Sequence, residues 1–219
     1  MKKLDRTEII FATPIYVGDL KITKLNNQLI NYCNKIKKQK GRSISNIGGW
    51  QSEDVDCSFP IINQFITNIE PALKKYANSF LENDKVNIKI DNLWFNINKK
   101  NHYNQEHAHD GGVSNCDFSA VYYLKTSNNE KCGNLYFVNP DNLLGGRKMF
   151  FKYPINSYNP FNSARFNAIP KTQRLILFPS HLKHATAPNQ TSSDRISLSF
   201  NTFVRGNIGS DELLEGLKL

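Results

Sequence analysis

Short apolar runs in the second half of the chain constrain its fold more than any other feature. They begin near residue 86 and are separated by turn residues: Val86–Ile90, Leu93–Ile97, Phe118–Leu124, Asn134–Val138, Arg174–Phe178 and Ile196–Val204. Runs of this length and spacing are typical of an antiparallel β-sandwich or barrel. The stretch 141–169 is too long for a tight turn and predicts a hairpin excursion or a lid. Its aromatic clusters, Met149–Tyr153 and Tyr158–Phe161, fit either a substrate lid or a cover over the outer face of the barrel.

The first part of the chain has the periodicity of helices. Leu25, Leu29, Cys33 and Ile36 recur at helical spacing, which predicts an amphipathic helix over Lys24–Lys38. A second helical stretch runs from Phe65 to Phe80. Pro71 lies within it and is expected to kink that helix or to start a new one.

The length of the chain fits a single domain. With 219 residues and 39% hydrophobic content, it can bury one sizeable core. We predict a mainly β (α+β) fold over residues 1–219. A helical support region, 1–85, packs on one side of a β core, 86–206.

The chain is basic, with a net charge of +9. Its lysines are scattered and its Asn, Ile and Lys content fits an AT-rich genome, so a solvated surface is favoured over a nucleic-acid surface. No apolar run approaches transmembrane length, and the four cysteines form no CxxC pair. We therefore expect a cytoplasmic protein with free thiols that does not engage a membrane.

Two histidines stand one residue apart in QEHAHDGG, residues 105–112. If residues 105–110 are extended, His107 and His109 point to the same face and Asp110 points away. Two imidazoles in this arrangement can bind one metal ion in adjacent positions. The alternative is a solvated polar loop.

A second polar cluster lies in FPSHLKHATAPNQTSSDRISLSFN, residues 178–201, which predicts strand, loop, strand, turn and strand. His184 is a candidate third metal ligand, whereas His181 faces the opposite way and is expected at the surface. The turn would fold Arg195 and Ser197 back beside His184. Because a guanidinium can hold a carboxylate through two hydrogen bonds, the cluster fits a small dicarboxylate that also chelates the metal.

The motifs HAHD, VYYL, GNLYF, LFPSHLKH and RISLSFN, in this order, resemble those of the 2-oxoglutarate- and Fe(II)-dependent oxygenases. The similar branch lies near the prolyl hydroxylases and includes small proteins of bacteria and phages. The resemblance runs from Phe11 to Asn201. It implies a double-stranded β-helix with N-terminal helices on one side, Fe(II) and 2-oxoglutarate as cofactors, and O2 as co-substrate.

The resemblance also implies residue roles. His107 and His184 correspond to iron ligands, Arg195 and Ser197 to the residues that hold the distal carboxylate of 2-oxoglutarate, and Tyr123 to a tyrosine that contacts it. From the strand pattern of NLWFNINK, Asn96 and Asn98 share one face and are further candidates for lining the site.

The middle ligand departs from the family pattern, because these enzymes usually supply a carboxylate there and this chain has His109. Three arrangements remain open. His109 binds the iron, or Asp110 does so through a bulge at Gly111–Gly112, or the third position is left to water or an anion.

The resulting hypothesis is a dioxygenase that hydroxylates a C–H bond of an unidentified small-molecule or peptide substrate and releases succinate and CO2. One alternative is a cupin-like three-histidine metal enzyme that does not use 2-oxoglutarate. Another is a non-catalytic protein that binds a partner or nucleic acid through its basic surface.

Overall fold

The computed structural model describes residues 12–80, 86–109, 116–140, 163–208 and 217–218. These ranges contain two α-helices, α1 (Thr23–Ile36) and α2 (Pro60–Ala77), and a 3-10 turn at Glu130–Cys132. Their strands are β1 (Tyr16–Asp19), β2 (Asn46–Ile47), β3 (Trp50–Gln51), β4 (Val86–Asn98), β5 (Tyr103–His107), β6 (Phe118–Lys125), β7 (Leu135–Val138), β8 (Arg165–Ala168), β9 (Arg174–Pro179), β10 (His184–Thr186), β11 (Arg195–Ile208) and β12 (Leu217–Lys218).

The strands form two antiparallel sheets. The major sheet has the order β1-β9-β6-β11-β4-β3, with β12 paired to β11, and the minor sheet has the order β2-β5-β10-β7-β8. The strands alternate between the sheets from β4 to β7 and again from β9 to β11, where the chain passes from the major sheet to β10 in the minor sheet and back. The mainly β prediction and the implied double-stranded β-helix are therefore confirmed. The prediction that the turn before Arg195 folds β11 back beside β10 is wrong for the strand pairing, because this turn crosses from one sheet to the other.

The long strand β4 replaces two of the predicted strands. It pairs with β11 along its whole length, and Asp91 is the extra residue where the register shifts between Asn201 and Thr202. The polar interruption at Asp91–Asn92 is thus a β-bulge, which bends a strand without ending it. In the sequence this bulge resembles a turn between two strands, because bulges and turns both favour polar residues.

The two helices pack on the outer face of the major sheet. Phe65 of α2 lies against Tyr122 and Phe200, with ring centroids 5.0 and 6.4 Å away, and all three side chains are buried. Helix α2 continues through Pro71 as one helix, so no new helix begins there. Neither described helix is long and apolar enough to cross a lipid bilayer.

A second apolar cluster lies between the two sheets, where Tyr123, Phe137 and Phe178 pack together. Strand β11 separates the two cores. Its residues Ile196, Leu198 and Phe200 join the helix-facing core, so the alternate residues from Arg195 to Asn201 face the minor sheet. This alternation puts polar side chains between the sheets.

Some predicted features lie outside the described residues. These are Asp110, Gly111–Gly112, Met149–Tyr153 and Tyr158–Phe161. At the ends of the long stretch, β7 pairs with β8, and Val138 lies opposite Arg165, in agreement with a hairpin excursion.

Replacing Phe65 by alanine should lower the free energy of unfolding by about 3–5 kcal/mol, because the substitution leaves a cavity between α2 and the major sheet. Denaturant unfolding measures this change. Phe166→Ala is the matched control, since the Phe166 side chain is 57% exposed and its removal should cost no more than about 1 kcal/mol. Equal losses for the two variants would contradict the packing described above.

Candidate active site

Three histidines meet between the sheets. Strand pairing puts His184 of β10 directly opposite His107 of β5, and His109 lies two residues beyond the end of β5. The backbone N–H of His109 donates to the Ser180 carbonyl at 2.9 Å. Each imidazole offers one ligand atom, and the three atoms lie within 4.8 Å of one another. The predicted strand over 105–110 therefore ends early, but the two imidazoles still converge.

Hydrogen bonds set the orientation of these rings. His107 Nδ1 lies 2.7 Å from the Gln105 carbonyl, and His184 Nδ1 lies 2.8 Å from the Leu182 carbonyl. Because a carbonyl oxygen can only accept, each Nδ1 carries the proton and donates it. Each Nε2 is then left with a lone pair, which is the state a metal ligand requires.

Burial keeps His107 and His184 neutral. It lowers the pKa of His184 to about 3, and the neighbouring His107 reinforces this shift. Burial also lowers the pKa of His107. A neutral imidazole binds metal and a protonated one does not, so the pair is ready for a cation at neutral pH.

The Arg195 guanidinium forms the charged wall of the same pocket. Its side chain is only 2% exposed, and Nη1 donates to the carbonyls of Cys132 and Gly133 at 2.9 and 2.6 Å. In the described part of the chain no carboxylate pairs with it. A buried cation without a counter-ion is costly, so this wall favours an anionic ligand.

Three further polar side chains form a row across the major sheet. Ser197 lies opposite Asn96 on one side and opposite Tyr123 on the other. Burial raises the pKa of Tyr123 to about 12, so its hydroxyl remains a hydrogen-bond donor. Asn96 Nδ2 donates to Ser199 Oγ at 3.1 Å, while its buried Oδ1 has no partner among the described residues.

The structure brings seven of the predicted site residues to one pocket, which is lined by Asn96, His107, His109, Tyr123, His184, Arg195 and Ser197 among others. Asn98 is not among the lining residues, because its side chain donates to Asn104 Oδ1 at 3.3 Å. His181 is exposed. Glu106 points to the outer surface, where its carboxylate lies 3.7 Å from Lys183.

Several residues that shape this pocket were not predicted from the sequence. Trp94 lines it, and its ring centroid lies 6.4 Å from that of His109. Gly133 has φ +88°, and a side chain there would collide with the Ala187 carbonyl and with Arg195 Nη1. Ser119 and Asn201 contact His109. Two of these residues could have been found from the sequence. Asn201 belongs to the polar alternation of β11, and Gly133 is the first residue of the motif GNLYF.

Residues 92–201, half of the chain, match the model of a family described as putative 2OG-Fe(II) oxygenases. The chain therefore belongs to the 2-oxoglutarate- and Fe(II)-dependent oxygenases. This family assignment confirms the cofactors implied by the motifs, Fe(II) and 2-oxoglutarate, with O2 as the co-substrate. The three histidines suit Fe(II). The buried Arg195, which has no carboxylate partner among the described residues, suits the anionic 2-oxoglutarate. No curated protein sequence matches the chain significantly.

Solved structures share the fold at low sequence identity. A prolyl-4-hydroxylase of Pseudomonas putida matches with a TM-score of 0.63 and 15% identity, covering 89% of this chain and 95% of that chain. HygX of Streptomyces hygroscopicus, with nickel and 2-oxoglutarate bound, matches with a TM-score of 0.60 and 11% identity, covering 87% and 83%. A prolyl hydroxylase in complex with a hypoxia inducible factor peptide fragment, from Trichoplax adhaerens, matches with a TM-score of 0.59 and 14% identity, covering 88% and 84%.

His184→Ala should weaken Co(II) binding by more than roughly 100-fold, because it removes a metal-facing imidazole. Competition with a chromophoric chelator measures the affinity. His181→Ala provides the matched control, as it removes an exposed histidine three positions away and should leave the affinity unchanged. Tight Co(II) binding by the His184 variant would contradict a metal centre at this position.

Proposed function

We propose that the enzyme hydroxylates a C–H bond of an organic substrate, with the iron held by His107, His109 and His184 and with 2-oxoglutarate held by Arg195, Ser197, Tyr123 and Asn96. One oxygen atom of O2 enters the product alcohol and the other enters succinate, while the 1-carboxylate of 2-oxoglutarate leaves as CO2. When bound, the iron supplies the O2 activation that couples these two oxidations. The observation that carries the proposal is the convergence of three imidazoles and one buried guanidinium, which has no carboxylate partner among the described residues, on a single pocket.

Arg195 neutralises the distal carboxylate of 2-oxoglutarate. Its Nη1 is committed to the carbonyls of Cys132 and Gly133, which fix the plane of the guanidinium. The remaining N–H groups make no hydrogen bond within the described residues and are available to the carboxylate. Such charge-assisted pairs are about twice as strong as neutral hydrogen bonds.

The row of Asn96, Ser197 and Tyr123 completes the binding of 2-oxoglutarate. The protonated Tyr123 hydroxyl and the Ser197 hydroxyl add donors beside Arg195. The Ser199 hydroxyl can either donate or accept, so the Asn96 amide can turn its NH2 group toward a carboxylate. These neutral groups orient the dicarboxylate, whereas Arg195 supplies the charge.

His109 is the third iron ligand in this proposal. Its ring centroid lies 5.1 Å from that of His107 and 5.2 Å from that of His184, so it closes the triangle. The alternative ligand, Asp110, lies outside the described residues. Three neutral ligands leave the centre one charge more positive than a centre with a carboxylate, and this favours binding of the dianionic 2-oxoglutarate.

The substrate side of the pocket supports an organic group with some polarity. Its wall combines the indole of Trp94 with the neutral polar side chains of Ser45, Asn104 and Thr186. We propose a small-molecule or peptide substrate that packs on Trp94, in a protein that acts as one domain over residues 1–219. A reducing compartment of a bacterial or infected host cell would maintain Fe(II) and the four thiols.

Neither alternative explains the pocket equally well. A three-histidine enzyme that does not use 2-oxoglutarate would leave the buried Arg195 without a function. A non-catalytic protein would need neither the three histidines nor the buried Arg195.

Anaerobic addition of Fe(II) and 2-oxoglutarate to the purified protein should produce the visible charge-transfer band of a chelated 2-oxo acid. Glutarate is the control ligand, because it has the same five-carbon chain and both carboxylates but no 2-oxo group, and it should give no band. Arg195→Ala should retain Fe(II) and raise the Kd for 2-oxoglutarate by roughly 100-fold, which corresponds to loss of a charge-assisted contact.

Arg174→Ala is the matched control for Arg195, because Arg174 pairs with Asp19 at the surface. It should leave the affinity for 2-oxoglutarate unchanged. If the Arg195 variant bound 2-oxoglutarate normally, the carboxylate assignment would be wrong. Tight Fe(II) binding without a band in the unmodified protein would instead favour the enzyme that does not use 2-oxoglutarate.

Gly133→Ala should raise the Kd for 2-oxoglutarate by about 10-fold or more while leaving Fe(II) affinity unchanged, since the added methyl group displaces Arg195 Nη1 from its carbonyl partners. Isothermal titration with Ni(II) as a redox-inert metal separates the two affinities. Gly48→Ala introduces a side chain at a similar φ of +72°, but next to the His102 ring. An equal effect of both substitutions would point to general backbone strain and away from Arg195.

A further inference from the structure

We infer that Ser119 and Asn201 form a clamp that positions His109 as a metal ligand by fixing which of its ring nitrogens carries the proton. The inference rests on the proposed three-histidine centre and deepens it. Ser119 and Asn201 are positioning residues, because they contact His109 and act on the metal only through it.

The clamp is a closed triangle of short contacts. His109 Nδ1 lies 2.8 Å from Asn201 Oδ1 and 2.8 Å from Ser119 Oγ, and Ser119 Oγ lies 3.0 Å from Asn201 Oδ1. Ser119 and Asn201 are cross-strand partners on β6 and β11. Ser119 is buried, so water does not compete freely for its hydroxyl.

The clamp connects the two sheets. His107 and His184 belong to the minor sheet, whereas Ser119 and Asn201 belong to the major sheet. His109 lies beyond the end of β5, and its backbone N–H donates to the Ser180 carbonyl in the connection from β9 to β10. The side-chain contacts on the opposite sheet therefore determine where its imidazole points.

The hydrogen-bond donors and acceptors decide the tautomer. The Asn201 carbonyl oxygen accepts the Ser119 hydroxyl proton, so the Ser119 oxygen and the Asn201 oxygen both remain acceptors for one N–H of His109. Nδ1 thus carries the proton, and Nε2 offers its lone pair to the metal. If the Asn201 amide were reversed, its NH2 group would donate to Nδ1 and the proton would move to Nε2, which could not then bind a metal.

This dependence distinguishes His109 from the other two ligands. Backbone carbonyls fix the tautomers of His107 and His184, and no side-chain substitution removes them. A carboxylate at this position would need no such control, because both of its oxygens can bind a metal. A histidine in this place requires an acceptor at Nδ1, and Ser119 and Asn201 supply it.

The test measures Co(II) affinity and the His109 tautomer, without turnover. Asn201→Leu should weaken Co(II) binding by about 10–100-fold, the usual effect of losing a partner of a metal-bound histidine. Asn201→Asp retains an acceptor and should bind Co(II) at least as tightly as the unmodified protein. In the metal-free protein, side-chain ¹⁵N NMR should show the Nδ1–H form of His109, and Asn201→Leu should shift it toward the Nε2–H form.

Thr202→Val is the control for loss of a buried hydrogen bond on the same strand, since the Thr202 hydroxyl donates to the Phe118 carbonyl at 3.1 Å. It should change neither Co(II) affinity nor the tautomer. Equal losses in the Thr202 and Asn201 variants, or unchanged affinity in Asn201→Leu, would overturn the clamp. If His109→Ala bound Co(II) like the unmodified protein, the three-histidine centre itself would fail, whereas normal metal binding without the 2-oxoglutarate band would contradict only the proposed oxygenase reaction.

Discussion

The pairing of β11 with β4 on one side and β6 on the other is the constraint on which the rest of the structure depends. These three strands form the middle of the major sheet, and their side chains alternate between two environments. One face packs against the helices through Leu198, Phe200 and their neighbours. The opposite face presents Arg195, Ser197 and Asn201 to the minor sheet, where the histidines lie. A shift of one residue in this register would exchange the two faces and remove both the core and the site.

The electrostatics of the pocket follow from burial more than from the overall charge of +9. Burial disfavours protonation of His107 and His184, which leaves each of them a lone pair for a metal ion. Arg195 keeps its charge when buried because a guanidinium loses its proton only at very high pH. Neutral imidazoles and a charged guanidinium can thus lie in one pocket, and in the proposed complex each contacts a different part of the same chelating ligand.

Much of the site could be predicted from the sequence because its residues follow strand periodicity. One residue separates Arg195 from Ser197 in the sequence, and one residue separates His107 from His109. The register of the strands brings these two pairs to the same pocket. Residues whose role depends on the opposite sheet were not predictable in this way. Ser119 and Asn201 have ordinary strand surroundings, and only the three-dimensional position of His109 gives them a role. A break predicted at Asp91 and a new helix predicted at Pro71 were wrong, because β4 and α2 continue through these residues and tertiary packing overrides the local preference.

The chain order of the strands has a consequence for how the protein reaches this structure. Strand β11 follows β4 and β6 in the sequence, yet it lies between them in the sheet. Until β11 is made, β4 and β6 expose adjacent unpaired edges, which are prone to aggregation. Insertion of β11 closes both edges and simultaneously delivers Arg195 and Asn201. Strand β11, the last long strand among the described residues, therefore completes the sheet and the candidate site in one step, so a ribosome-bound chain that lacks β11 has neither.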